Sequence, residues 1–253
     1  MKITFLGTGT SSGVPLIGCQ CEVCQSADER DKRLRVSIHI QASDKSFVID
    51  TGPDFRQQML RANIRHLDAV LYTHEHKDHT AGLDDIRAFN FLQNCEIPAY
   101  ARRQVLEQLK TEFAYIFAES KYAGVPLVQL NEITNRAFEI GGVSFLPVEV
   151  MHYKLPVFGY RIYNFAYVTD VNFISEIELQ KLNDLDVLVL GALQIPAHPS
   201  HFTLAEAIEM AQRIGAKQTY FTHISHRMGK HEAVSAMLPP NIYLAYDGLQ
   251  ISL

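Results

Sequence analysis

The chain has 253 residues, 47% of them apolar, which is enough to bury a sizeable core without disulfides. Its 23 Lys and Arg stand against 28 Asp and Glu, a net charge of −5, which argues against broad attraction to nucleic acid or anionic membrane and favours a small-molecule substrate. No run reaches the ~18 apolar residues of a membrane span, and the apolar stretch within 1–7 is too short for a signal-peptide core, so a cytoplasmic location is expected.

Short apolar, β-branched runs predict strands over 2–6, 36–41, 46–50, 69–73, 143–150, 165–170, 187–190, 219–222 and 242–245. Helical periodicity predicts helices over 53–62, 103–112, 175–182 and 203–214. In the last of these Leu204, Ala207, Ile208 and Ala211 share a face, and Thr203 with Glu206 makes a capping box. No linker or low-complexity tract divides the chain, so 1–253 reads as one domain. Strand-rich blocks alternate with helices in both halves, which suits two sheets face to face with helices outside.

Between the first two strands, a loop approached through Gly, Ser, Thr and Pro carries Cys19-Gln-Cys21-Glu-Val-Cys24. Three cysteines this close suit thiolate ligation of zinc better than a disulfide framework, which spreads its cysteines over separate elements. Cys95 stands alone and is expected to be a buried small hydrophobe without a role.

The run at 69–73 ends at His74-Glu75-His76-Lys77-Asp78-His79, where three of the chain's 11 histidines fall within six residues. On an extended chain His74 and His76 project the same way; Asp78 and His79 fall on the first turn of a short helix. One metal can take the first pair and a second metal the other. Three later strands end in further ligands, at His152, Asp170 and His223. A carboxylate such as Asp170 can bridge two cations, with His74, His76 and His152 on one and Asp78, His79 and His223 on the other. Asp50, also at a strand end, either orients a ligand imidazole or makes an Asp-x-Gly turn, and the sequence leaves both open.

His-x-His-x-Asp-His followed in order by strand-end His, Asp and His resembles the metallo-β-lactamase superfamily, nearly end to end. The opening Phe5-Leu-Gly-Thr-Gly-Thr-Ser-Ser-Gly13 and Asp50-Thr-Gly52 are similar to that family too. The resemblance implies an α/β fold, an αββα sandwich of two mixed sheets with outer helices. Within the superfamily the chain is most similar to the phosphoribosyl cyclic phosphodiesterases of the carbon-phosphorus lyase pathway, which carry an extra zinc on a Cys-x-Cys-x-x-Cys loop and a histidine three residues after the last active-site histidine. Cys19, Cys21, Cys24 and His226 occupy those positions. They imply a closed structural zinc that staples the N-terminal loop.

The resemblance further implies a histidine outside the metal shell that acts on the leaving group, and His201, 22 residues before His223, stands where it is expected. His198 is given an outer or surface place, and His39, His66 and His231 structural ones. The implied activity is hydrolysis of a small, cyclic ribose phosphodiester. Two divalent metals, zinc or manganese, bridge a hydroxide that attacks phosphorus, Asp78 holds the nucleophile and His201 protonates the departing oxygen. A homodimer is common in that subgroup. Two other readings stay open: a tRNA 3′-processing endonuclease, disfavoured by the missing basic footprint and arm, and a non-catalytic metal-binding accessory protein, disfavoured by the intact ligand set. Glyoxalase-type thioester hydrolysis leaves the cysteine loop unexplained. Selectivity is expected in loops at 84–90 and 153–157, where Arg87 or Lys154 either meets phosphate or sugar or, as is commoner for such residues, is a surface or salt-bridged one.

Overall fold

The computed structural model describes residues 1–119, 122 and 124–253. In chain order, its first part runs β1 (Lys2–Gly7), β2 (Ser37–Ala42), β3 (Lys45–Ile49), α1 (Phe55–Ala62), β4 (Ala69–Leu71), α2 (Lys77–Thr80), α3 (Arg87–Gln93), β5 (Ile97–Ala101), α4 (Arg103–Glu112), α5 (Ala114–Phe117) and β6 (Val128–Glu132). There follow β7 (Phe138–Ile140), β8 (Val143–His152), β9 (Leu155–Ile162), β10 (Phe165–Val168), β11 (Phe173–Ile174), α6 (Glu176–Leu179), β12 (Val187–Gly191), α7 (Leu204–Ile214), β13 (Gln218–Thr222), α8 (His231–Ser235), β14 (Ile242–Leu244) and β15 (Gln250–Ser252).

Two mixed sheets result. The first has the order β15-β1-β2-β3-β4-β5-β6 and the second β11-β8-β9-β10-β12-β13-β14, with β7 paired to β8. Each is antiparallel in one half and parallel in the other: β3-β4-β5-β6 and β10-β12-β13-β14 are the parallel runs. Parallel strands need crossovers, and helices supply them on the outer faces.

Period-two alternation then splits each buried strand between two cores. In β3, Phe47 and Ile49 point between the sheets, while Val48 points to the helices of the first layer. In β12, Val187 and Val189 face inward and Leu188 and Leu190 face α7 and its neighbours. The layers are therefore helix, sheet, sheet, helix. The capping box on α7 forms, with the Glu206 carboxylate accepting from the Thr203 backbone N–H at 2.8 Å, and Gly215 closes the helix at φ +69°.

Several sequence expectations need correction. The strands β5, β6, β7, β9, β11 and β15 were not legible as apolar runs. Pro98 and Pro156 interrupt β5 and β9, and in β6 the alternation is largely polar because the strand lies at a sheet edge. Residues 153–157 are not a loop but a two-residue turn and the start of β9. Likewise 84–90 is helical, a 3₁₀ turn running into α3. Cys95 is exposed, since it falls in the turn after α3 instead of on its packed face. No helix among the described residues is long and apolar enough to cross a membrane.

Candidate metal centre

Carboxyl ends of strands from both sheets meet at one end of the sandwich, and every strand-end ligand named above lies there. β4 delivers His74 and His76, with Asp78 and His79 following on α2; β8 ends in His152; Asp170 follows β10 and His223 follows β13. Asp50, Asp170 and His223 all have left-handed backbones, at φ +67°, +51° and +59°. This region disfavours most L residues but is enriched in Asn, Asp and His, and it turns the chain sharply as each strand stops. Gly52 has no Cβ because one would overlap the Asp78 carbonyl oxygen, so the Asp50-Thr51-Gly52 turn seats directly against α2.

Two donor sets emerge. His74, His76 and His152 form one, and Asp78, His79 and His223 the other, each with ligand atoms within 4.8 Å of one another. Asp170 stands between them: it groups with His74 of the first set and His79 of the second, ligand atoms within 4.8 Å, and its Oδ2 lies 3.3 Å from His79 Nε2 and its Oδ1 3.3 Å from His223 Nε2. Asp78 Oδ2 lies 3.3 Å from His79 Nε2 and 3.6 Å from His223 Nε2.

Hydrogen bonds fix which nitrogen of each ring faces inward. His79 Nδ1 donates to Asp50 Oδ2 at 2.8 Å, and His152 Nδ1 donates to the Ser200 carbonyl at 2.8 Å. Thr73 Oγ1 donates to Asp50 Oδ2 and accepts from His74 Nδ1, both at 2.9 Å. Each Nε2 is thus left with its lone pair turned into the site. That of His79, and both ring nitrogens of His223, are buried and have no hydrogen-bond partner, while His74 Nε2 meets His76 Nδ1 at 3.0 Å. Buried nitrogens that face one another, or lie beside carboxylate oxygens without a hydrogen bond, are costly unless a cation sits among them, so the donor chemistry fits two divalent metals.

The electrostatics agree. Burial pushes the His79 imidazolium down, but Asp78, Asp170 and Asp50 outweigh it and hold the proton well above the usual range. Burial likewise raises Asp170, and His223 and His79 outweigh it, leaving the carboxylate well below its ordinary value; Asp78 is lowered in the same way by His79 and His223. Without metal, protons shared among imidazoles and carboxylates do the work of cations. Burial pushes His74 and His152 down, towards the neutral form that ligates.

His201 is buried beside both sets. Its ring stacks on His223 at 4.8 Å and approaches His152 at 4.5 Å, with Nδ1 3.9 Å from Asp170 Oδ1. The exposed His198 ring lies 5.1 Å from it, outside the donor sets. Sequence reasoning missed Thr73 and the Ser200 carbonyl as orienting groups. Thr73 had a signal, a hydroxyl between an apolar strand and the first ligand, whereas Ser200 had none.

A separate cluster ties the N-terminal loop to the 3₁₀ turn after β13. Cys19 and Cys21 Sγ each lie 3.4 Å from His226 Nδ1, and Cys24 completes the group. The backbone N–H of Cys24 and then His226 hold the Cys21 thiol down to about 6, whereas burial raises Cys24 to about 11. Three sulfurs and one nitrogen, their ligand atoms within 4.8 Å of one another, suit zinc. His39, His231 and Arg87 take structural places: His39 bonds Ser46, His231 bonds Arg33, and Arg87 pairs with Asp84.

The Beta-lactamase superfamily domain family matches residues 45–224, which span all the strand-end ligands. A solved structure described as a new diphosphatase from the PhnP family is 42% identical, with a TM-score of 0.93, covering 100% of this chain and 97% of that one. A Porphyromonas gingivalis protein named octanoyltransferase is 40% identical over 253 residues; these are 99% of this chain, which spans only about half (51%) of that relative's length. The ribonuclease Z of Pyrobaculum islandicum is 24% identical over 306 residues, covering 98% and 96%.

Proposed function

The chain belongs to the β-lactamase superfamily and is a metal-dependent hydrolase, and from that premise we propose that it hydrolyses a small phosphodiester, with a cyclic ribose phosphate as the best-fitting class. The observation that carries this reading is the pair of donor sets sharing Asp170, with His201 facing the same space. When bound there, two divalent cations supply Lewis-acid charge to the phosphoryl oxygens and activate the attacking water. Zinc or manganese suits histidine and carboxylate donors, and zinc suits the cysteine site.

The chain's own residues do the rest. Asp78, at the open side of its set, is placed to accept a hydrogen bond from the attacking water. Burial, then His223, push His201 down to about 3, so its ring is neutral before substrate arrives and offers one N–H. An anionic phosphate beside it acts in the opposite direction and favours the imidazolium. A proton drawn from solvent onto His201 against that phosphate is then delivered to the departing oxygen, worth ~10² to 10⁴-fold in rate.

A tRNA 3′ endonuclease is the second reading, with a ribonuclease Z among the relatives, and the excess of acidic over basic residues counts against it. A cytoplasmic enzyme of small-molecule metabolism fits better. Elemental analysis joined to a panel of ribose cyclic phosphates, aryl diesters and pre-tRNA tests this. About three metals per chain and turnover of small diesters are expected, with His201→Ala lowering kcat at full metal content. Cleavage of pre-tRNA alone, or one metal and no turnover, refutes the reading.

A further inference from the structure

A cavity of about 650 Å³ is lined by His76, His152, Tyr153, Lys154, Pro199 and Ser200 and belongs to the metal centre already described. Another, of about 880 Å³, lies at the opposite end of the sandwich, at the starts of β1 and β3, and touches none of the candidate ligands. Its size falls within the ~300–1,000 Å³ of sites that enclose small molecules.

Alternation along three neighbouring strands makes its floor. Ile3 and Phe5 of β1, Ile38 and Ile40 of β2 and Phe47 of β3 pack between the sheets, so Lys2, Thr4, His39, Gln41 and Ser46 project from the outer face. The register sets Thr4 beside His39, and Lys2 beside Gln41, which neighbours Ser46 in turn. Further along that face lies the apolar core under the helices, but the eight residues of α1 span only ~12 Å and leave the strand starts uncovered. The connector after α1, residues 63–66, supplies the second wall.

A polar sheet face in open water calls for no ligand, but these side chains are not in open water. Thr4, His39 and Ser46 are only 5%, 4% and 7% exposed. His39 Nε2 donates to Ser46 Oγ at 2.8 Å, because that hydroxyl gives its own proton to the His66 carbonyl at 2.6 Å. His39 Nδ1 is thus an acceptor on the cavity floor with no partner among the described residues, and the Thr4 hydroxyl has none either. The walls are basic. Lys45 and His66 share Asp68, whereas Lys2 and Arg65 pair with no carboxylate among the described residues; Arg65 Nε donates to Asn63 Oδ1. Asp44 is the one acidic side chain on the lining, and no Phe or Tyr ring lies there to stack a flat base. In a chain of net charge −5 this is a local reversal of sign, joined to free hydroxyl, amide and imidazole partners.

We propose that this cavity is a second binding site, for a sugar phosphate. Lys2 and Arg65 hold the phosphate, and Thr4, Gln41 and His39 Nδ1 meet the sugar hydroxyls. The site is separate from the metal centre and does not depend on the phosphodiester reading.

The test titrates ribose 5-phosphate into zinc-loaded protein isotope-labelled at histidine nitrogen, at neutral pH, with calorimetry on the same samples. The metal centre can bind the same phosphate, so His39, remote from every candidate ligand, is the probe that separates the two sites. Its Nδ1 signal is expected to move as it accepts a hydroxyl hydrogen bond. Ribose and inorganic phosphate, each one half of the ligand, are expected to move it with affinities about tenfold weaker. The double variant Lys2→Ala/Arg65→Ala is expected to lose about tenfold or more in affinity at this site, with metal content, melting and turnover unchanged. Thr4→Val weakens ribose 5-phosphate and leaves inorganic phosphate as before. A His39 signal unmoved through the titration, or an affinity at His39 unchanged in the double variant, overturns the site. Inorganic phosphate binding there as tightly as ribose 5-phosphate overturns the sugar assignment.

Discussion

Replacing Asp50 by Asn tests whether the centre depends on the group that orients its ligands. Asp50 is fully buried and touches no candidate metal position, yet three donors converge on it. The Thr73 backbone N–H reaches Oδ1 at 2.9 Å, and Thr73 Oγ1 and His79 Nδ1 reach Oδ2 at 2.9 and 2.8 Å. Asn keeps the volume and tolerates φ +67°, so the backbone survives. It offers only one acceptor oxygen. If that oxygen replaces Oδ2, the amide NH₂ faces the Thr73 N–H; if it replaces Oδ1, the NH₂ faces His79 Nδ1–H and drives that ring to the other tautomer, pointing a proton into the site.

Either arrangement leaves a buried donor unsatisfied, at about 1–3 kcal/mol. Loss of such an orienting partner weakens metal binding by ~10- to 100-fold, a matching range at about 1.4 kcal/mol per tenfold. Competition against a chelator of known affinity, with metal content and kcat/KM measured on the same samples, reads this directly. The expected result is one weakened cation per chain and a fall in turnover that excess metal partly restores. An Asp50→Asn protein that holds both cations with undiminished affinity refutes the orienting role.

The cysteine cluster predicts a different loss. Among the described residues the buried apolar cluster at the heart of the N-terminal loop is Val14, Val23 and Cys24, too small a core to hold it alone. Cys21→Ser is expected to bind one metal fewer, to melt several degrees lower and to exchange backbone amides faster over 16–25, with the dinuclear set still loaded; full metal content in that variant contradicts the assignment. Acid stability has its own signature at His39. Burial and then Lys2 lower it from 6.5 to about 4, so the unfolded chain takes up the proton first as pH falls. Its contribution is intact above 6.5 and shrinks down to about 4, the loss by pH 5 amounting to about 2 kcal/mol. Urea unfolding at pH 7 and pH 5 is expected to show a smaller acid loss in His39→Gln than in the unaltered protein, and equal losses speak against it.

What the sequence determined by itself was the chemistry at strand ends. His74 through His79 are ligands because residues two apart on an extended chain, and the first turn of the helix beyond, point into one volume; His152, Asp170 and His223 follow the same rule one strand at a time. Period-two apolar runs marked the two-faced strands of the core for the same local reason. Long-range packing decided the rest. Asp50 was ambiguous between a turn and an orienting partner because only pairing of β3 with β4 sets it against Thr73 and His79. Interrupted or edge strands such as β9 and β6 have too weak a local preference to be seen without their neighbours, and the exposure of Cys95 could not be read from its apolar surroundings in sequence. The Tyr153 cavity is the clearest case. Its turn, the Pro199 loop and Asn172 are separated along the chain, and only the hydrogen bonds that close the fold bring Tyr153 and Lys154 to the edge of the metal centre.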